Sequence, residues 1–124
     1  MVKYLIDTDV LVDYLISNEN HYLMNLMQTG ICFTTVLNAS ELLAVCKNDI
    51  EQSLVRNVLD SLKVLGIHSR YALSIPDFSD KTDSVRDALF TIVALINKLP
   101  IVTLREERYN RTKLKIIHPQ KVGV

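Results

Sequence analysis

The run Val2-Lys3-Tyr4-Leu5-Ile6-Asp7 most constrains how this chain folds. It is a short, mostly apolar strand that stops at a carboxylate and passes with almost no connection into a helix. Val10, Leu11, Tyr14 and Leu15 then recur at helical spacing on one face. A strand of this kind is covered on both sides, which is the habit of parallel sheets in α/β domains. Ligands of such sheets gather outside the carboxyl ends of the strands, where Asp7 stands. Asp7 also has a plainer reading: Asp is a preferred helix N-cap, so Asp7 or Thr8 satisfies the first free N–H groups of the helix.

The 124 residues amount to one domain, 1–124, able to bury about two-thirds of its unfolded surface without disulfide or structural metal. Apolar residues at 48 % exclude a disordered chain. Lys plus Arg equals Asp plus Glu at fourteen each, so no net field marks a nucleic-acid binder. Six of the fourteen basic residues nevertheless crowd the last twenty positions: Arg105, Arg108, Arg111, Lys113, Lys115 and Lys121. That segment is either a solvated face or a phosphate-facing edge. Cys32 and Cys46 lack metal-ligand spacing and read as reduced core residues of an intracellular protein. No run approaches the roughly 18 apolar residues of a membrane span, and the opening Met1-Val2-Lys3 reads as no signal peptide, so a cytoplasmic protein is expected.

Strand and helix signals then alternate. A polar turn at Ser17-Asn18-Glu19-Asn20 leads into a helix from about Glu19 to Gln28. Ile31-Cys32-Phe33 reads as a strand, with Thr34 or Thr35 capping a helix over Val36 to Lys47. Glu41 emerges there from mostly apolar neighbours, so it is paired, capping in an Asn38-x-x-Glu41 box, or functional. A helix over Asp49 to Lys63, a strand at Val64 to Ile67, and a weak helical turn and loop within Ser69 to Asp80 follow. From Ala88 to Ile96 only Thr91 is polar, which predicts a helix buried nearly all round. Asp83, Asp87 and Thr91 fall at i, i+4 spacing, while Ser84-x-x-Asp87 also resembles a capping box. Ile101 to Thr103, a turn at Glu106 to Tyr109 and a strand at Leu114 to Ile117 close the domain.

In a wound α/β domain, a strand end and the starts of helices converge at one sheet edge, so Asp7, Glu41 and Asp87 can meet there. Clustered carboxylates repel, and a hard divalent cation such as Mg²⁺ or Mn²⁺ compensates them. A phosphatase built on Asp7-x-Asp9 is a rival, weakened by the absence of a well-placed downstream Lys and acidic pair.

The chain resembles a PIN domain of the VapC toxin type over essentially its whole length. The resemblance is carried by Leu5-Ile6-Asp7-Thr8-Asp9-Val10-Leu11-Val12-Asp13, by Asn38-Ala39-Ser40-Glu41-Leu42, and by Arg86-Asp87-Ala88-Leu89 heading the apolar helix. Pro100-Ile101-Val102-Thr103 and the segment Arg108 to Pro119 fit the closing part. It implies a three-layer α/β/α fold around a mostly parallel sheet of about four to five strands. It further implies a Mg²⁺- or Mn²⁺-dependent endoribonuclease acting on RNA, often a homodimer, held inactive by an antitoxin protein. Carried over residue by residue, the metal and catalytic set is Asp7, Glu41 and Asp87, with Thr103 at the rim and Asp83 as a possible support. Arg105, Arg108 and Arg111 become candidate RNA phosphate contacts. One position departs from the pattern: Arg105 stands where the family commonly has a fourth acid or an Asn. The resemblance therefore implies metal binding more firmly than a two-metal mechanism. It leaves as an alternative a PIN-like module that has lost catalysis and acts through protein or RNA contacts.

Overall fold

The computed structural model describes residues 1–17 and 22–122. Its sheet has five strands in the order β3-β2-β1-β4-β5, every neighbouring pair parallel. They are β1 (Lys3–Ile6), β2 (Ile31–Thr35), β3 (Lys63–Leu65), β4 (Ile101–Val102) and β5 (Ile116–Ile117). The α-helices among the described residues are α1 (Thr8–Ile16), α2 (Tyr22–Thr29), α3 (Val36–Ala44), α4 (Asp49–Asp60), α5 (Ile75–Phe78) and α6 (Val85–Asn97). The beginning expected for the second helix, at Glu19, lies outside the described residues.

Alternation along β1 divides the interior, because successive strand side chains point to opposite faces. Tyr4 and Ile6 join Val10 and Leu11 of α1, Leu23 and Leu26 of α2, Leu42 of α3, and Val55 and Val58 of α4. Leu5 faces the other way, onto Phe90, Val93 and Ala94 of α6 and onto Tyr109. Ile101 and Val102 divide in the same manner. The result is the three-layer α/β/α arrangement, with β1 at its centre.

Local chemistry sets the element ends. Thr35 caps α3 in a box completed by Asn38, whose side chain accepts from the Thr35 backbone N–H at 3.0 Å. Glu41 is therefore free of that duty, contrary to the Asn38-x-x-Glu41 alternative. β2 runs on to Thr35 because Thr34 donates its hydroxyl to the Ile6 carbonyl at 2.9 Å, tying the two strand ends together. Ser84 caps α6 by accepting from the Asp87 N–H at 3.0 Å. Asp83 thus precedes the helix rather than extending its acidic face. α6 is buried continuously from Phe90 to Ala94, yet Leu95 and Ile96 at its end are exposed.

The two cysteines sit in unlike surroundings: both are free thiols, Cys32 buried in β2 and Cys46 half-buried after α3. Burial pushes the Cys32 thiol up from 9.0 to about 12. At pH 8 about one part in ten thousand of it is thiolate, the reactive form. Iodoacetamide at that pH is expected to label Cys46 in the folded protein and Cys32 only after unfolding, as read by peptide mass mapping; equal labelling rates would contradict this burial. The raised pKa has a stability consequence of definite sign. The stability contributed by Cys32 is complete below pH 9.0 and is lost as pH rises toward about 12, because the unfolded thiol releases its proton first.

Candidate active site

Asp7 leaves the carboxyl end of β1 and is fully buried. It does cap α1, its Oδ1 accepting from the Thr8 N–H at 2.8 Å, but capping uses only part of it. The same oxygen accepts from Arg86 Nη2 at 2.6 Å and from Asn38 Nδ2 at 3.4 Å, while Oδ2 accepts from the Tyr109 hydroxyl at 2.6 Å. The two readings of Asp7 are thus compatible: one carboxylate serves the helix end and a cluster of polar groups.

Arg86 is the centre of that cluster. Its Nε donates to both oxygens of Glu41 at 3.2 Å, and Nη2 reaches Glu41 Oε1 at 2.8 Å. Nη1 donates to Asp87 Oδ1 at 3.1 Å and to the Tyr109 hydroxyl oxygen at 2.8 Å. Its guanidinium carbon lies 5.2 Å from the centre of the Phe90 ring, a cation–π distance. Asp7, Glu41 and Asp87 are therefore assembled around a single guanidinium, although they are far apart in sequence. Burial alone pulls the Arg86 pKa down, but hydrogen bonds and charge from Glu41 and Asp7 outweigh it and hold the group above its ordinary value. Burial first, then the Asp7 charge, raises Tyr109 well above the ordinary phenol range, so its hydroxyl stays a donor to Asp7.

A second tier fixes these groups. The Thr8 hydroxyl donates to Glu41 Oε1 at 2.7 Å and accepts from Asn38 Nδ2 at 2.8 Å. Asn38 is fully buried and has both ends of its amide engaged, its Oδ1 accepting from the Thr35 hydroxyl at 2.6 Å. Thr103 follows β4 and turns to Asp9: its hydroxyl donates to Asp9 Oδ2 at 2.9 Å, beside the Leu104 N–H at 3.2 Å. Asp9 Oδ1 is buried and has no hydrogen-bond partner among the described residues. Burial, and then the charge of Asp7, raises the Asp9 pKa against the lowering effect of Thr103 and Leu104.

The remaining candidates stand apart from this cluster. Asp83 is exposed and pairs with Arg111 at 2.8 Å. Arg105 is exposed too, its nearest acid being Glu107 at 3.9 Å, so its side chain does not enter the acid cluster. Arg108 is half-buried and within electrostatic reach of Asp9. The sequence offers Thr8 and Asn38 only as caps, and Arg86 and Tyr109 only within longer motifs, so none of the four was expected in the site. Arg86 carried a usable signal, since a cation in the first turn of a helix opposes the helix dipole and needs nearby acids to hold it. Tyr109 carried none, being one aromatic in an irregular segment.

The donor set suits a hard divalent cation: every ligating atom is oxygen, and three acids face one guanidinium. The unpartnered buried oxygen of Asp9 points the same way. As the side chains stand, however, no group of three His, Cys, Asp or Glu among the described residues is arranged to hold a metal ion. Arg86 occupies the space between the acids.

A parallel α/β/α domain with three acids gathered beyond β1 defines the class of fold. The chain belongs to the PIN domain family, whose model matches residues 4–115. Solved structures share the fold at low sequence identity. FitAcB from Neisseria gonorrhoeae superposes with a TM-score of 0.77 at 14 % identity, over 96 % of this chain and 99 % of that one. VapBC-1 from nontypeable Haemophilus influenzae gives 0.78 at 16 % identity, over 97 % and 100 %. A toxin–antitoxin complex from Klebsiella pneumoniae gives 0.78 at 15 % identity, over 94 % and 97 %. No curated protein sequence matches the chain. No helix among the described residues is long and apolar enough to cross a membrane.

Proposed function

We propose that this chain is a divalent-metal-dependent endoribonuclease and the toxin of a toxin–antitoxin pair, acting in the cytoplasm. The observation that carries the reading is the convergence of Asp7, Glu41 and Asp87 on one guanidinium beyond the end of β1. The likeness to the toxin–antitoxin complex from Klebsiella pneumoniae supports the second half of it.

Asp7, Glu41 and Asp87 would hold Mg²⁺ or Mn²⁺. When bound, such an ion supplies Lewis-acid chemistry suited to phosphodiester hydrolysis. The chain's own groups do the positioning. Tyr109 and Asn38 fix the Asp7 carboxylate from two sides, and the Thr8 hydroxyl aims Glu41. Glu41 is the most exposed of the three acids, its side chain 37 % accessible, and so it is the one an incoming substrate meets. Thr103 acts at one remove, by orienting Asp9. Arg105, Arg108 and Arg111 form the basic edge offered to RNA phosphates, Arg111 after release from Asp83. Exposed Ile16, Val45 and Leu54 line the groove between α1, α3 and α4, an apolar surface suited to an antitoxin. A homodimer belongs to the same reading, with sedimentation velocity as its check.

The test is cleavage of a mixed structured RNA by the purified protein. Activity is expected with Mn²⁺ and not with EDTA. An Asp7→Asn, Asp87→Asn double variant is expected to cut more slowly by about a hundredfold or more. Undiminished cleavage by that variant would sink the reading. The second reading, a binding module without catalysis, is favoured by the place Arg86 takes among the acids; RNA retention without cleavage under all metal conditions would select it.

A further inference from the structure

We infer that Arg86 is the resident cation of this site and competes with the divalent ion for Asp7, so that its guanidinium must let go of Asp7 before the ion is held. The inference rests on the metal reading above and deepens it. Arg86 engages all three acids at once, with side-chain oxygens at 2.6, 2.8 and 3.1 Å. Its tightest contact is to Asp7, the least accessible acid, at 0 % exposure. A dication on Asp7 Oδ1 with Nη2 still 2.6 Å from that oxygen would set two cations side by side in a poorly solvated place, where repulsion is weakly screened. One of them has to leave.

The geometry shows how the guanidinium can move without being stranded. Its side chain is 19 % exposed, and Glu41, which faces solvent more than the other acids, accepts from Nε as well as Nη2. Nε can keep Glu41 as a pivot while Nη1 and Nη2 withdraw from Asp87 and Asp7. Glu41 would then be shared between the ion and the arginine. Arg86 is thus a positioning residue whose presence lowers metal affinity and, in metal-free protein, neutralises the buried Asp7.

Mn²⁺ titration of the metal-free protein tests this, with free Mn²⁺ read by its paramagnetic resonance signal and no substrate present. Arg86→Met, which keeps the apolar stem and removes the charge, is expected to bind Mn²⁺ about tenfold or more tightly than the parent chain. Arg86→Lys, which keeps a charge but not the fork, is expected to fall between them and carries the test alone if Arg86→Met does not fold. Adding Asp7→Asn to either variant is expected to erase the gain. Two results overturn the inference and separate its failure from that of the metal reading. If the Arg86 variants bind no more tightly while Asp7→Asn still abolishes binding, the acids hold the metal and the competition is wrong. If Mn²⁺ binding is absent throughout or indifferent to Asp7→Asn, the metal reading fails and takes the inference with it.

Discussion

Phe90→Ala is expected to lower the unfolding free energy by about 3–5 kcal/mol, the cost of emptying a buried aromatic site. For a domain of this size that is a fall in Tm of roughly 10–20 °C. Phe90 is fully buried on α6, among Leu5 of β1, Val93, Leu99 and Ile101. Two of its contacts extend the loss to the site: its ring centre lies 5.6 Å from that of Tyr109 and 5.2 Å from the Arg86 guanidinium carbon. Truncation therefore removes core area and also the floor on which the donors to Asp7 rest. Phe90→Leu separates the two effects. Leucine refills much of the volume, for a loss of about 1.5 kcal/mol or less, but offers Arg86 no π face. Urea denaturation followed by circular dichroism measures both variants. A loss from Phe90→Ala no larger than that from Phe90→Leu would show that this core collapses around the cavity.

Much of the fold was legible because its signals are local. Apolar strands alternating with one-faced helices give a parallel sheet, and Ser84 before α6 is a cap that sequence can show. Misreadings arose where two local rules competed for one residue. Asn38 was compatible with capping backward or forward; in the fold Thr35 takes it, which frees Glu41 to meet Thr8 and Arg86. Asp83 fits helical spacing to Asp87, yet Ser84 is the cap and the helix starts at Val85, two residues after Asp83. Asp7 and Asp87 could be singled out as acids at element boundaries, and Glu41 as an acid among apolar neighbours within a helix. Their common partner was legible only in part: a cation in the first turn of α6 calls for nearby acids, but nothing local says that two of them arrive from β1 and α3. Arg105 attracted attention by its place in a family pattern, but its side chain is exposed and lies 3.9 Å from Glu107, away from the three acids.

A matched pair of glycine substitutions is expected to give opposite signs. Gly30 sits between α2 and β2, where an added Cβ would lie 2.6 Å from the Val2 carbonyl oxygen and 2.8 Å from the Tyr4 ring. That carbonyl is not free to retreat, because it accepts the Ile31 N–H at 2.9 Å, the bond just ahead of the Lys3 to Ile31 register of β1 and β2. Nor is Tyr4 loose: it is buried, and its hydroxyl is 2.9 Å from that of Thr29. Gly30→Ala must then shift backbone at the start of the central strand, an overpacking cost of about 1–3 kcal/mol with a lost ladder hydrogen bond of about 1 kcal/mol beside it. Gly66, just after β3, has nothing within 4 Å of the same atom. Gly66→Ala should stabilise by about 0.4–1 kcal/mol by restricting the unfolded chain alone. Since both exchanges add the same methyl group, their difference isolates the close approach at Gly30. Equal effects in urea unfolding would mean that β1 can slide past Gly30, and with it the strand that carries Asp7.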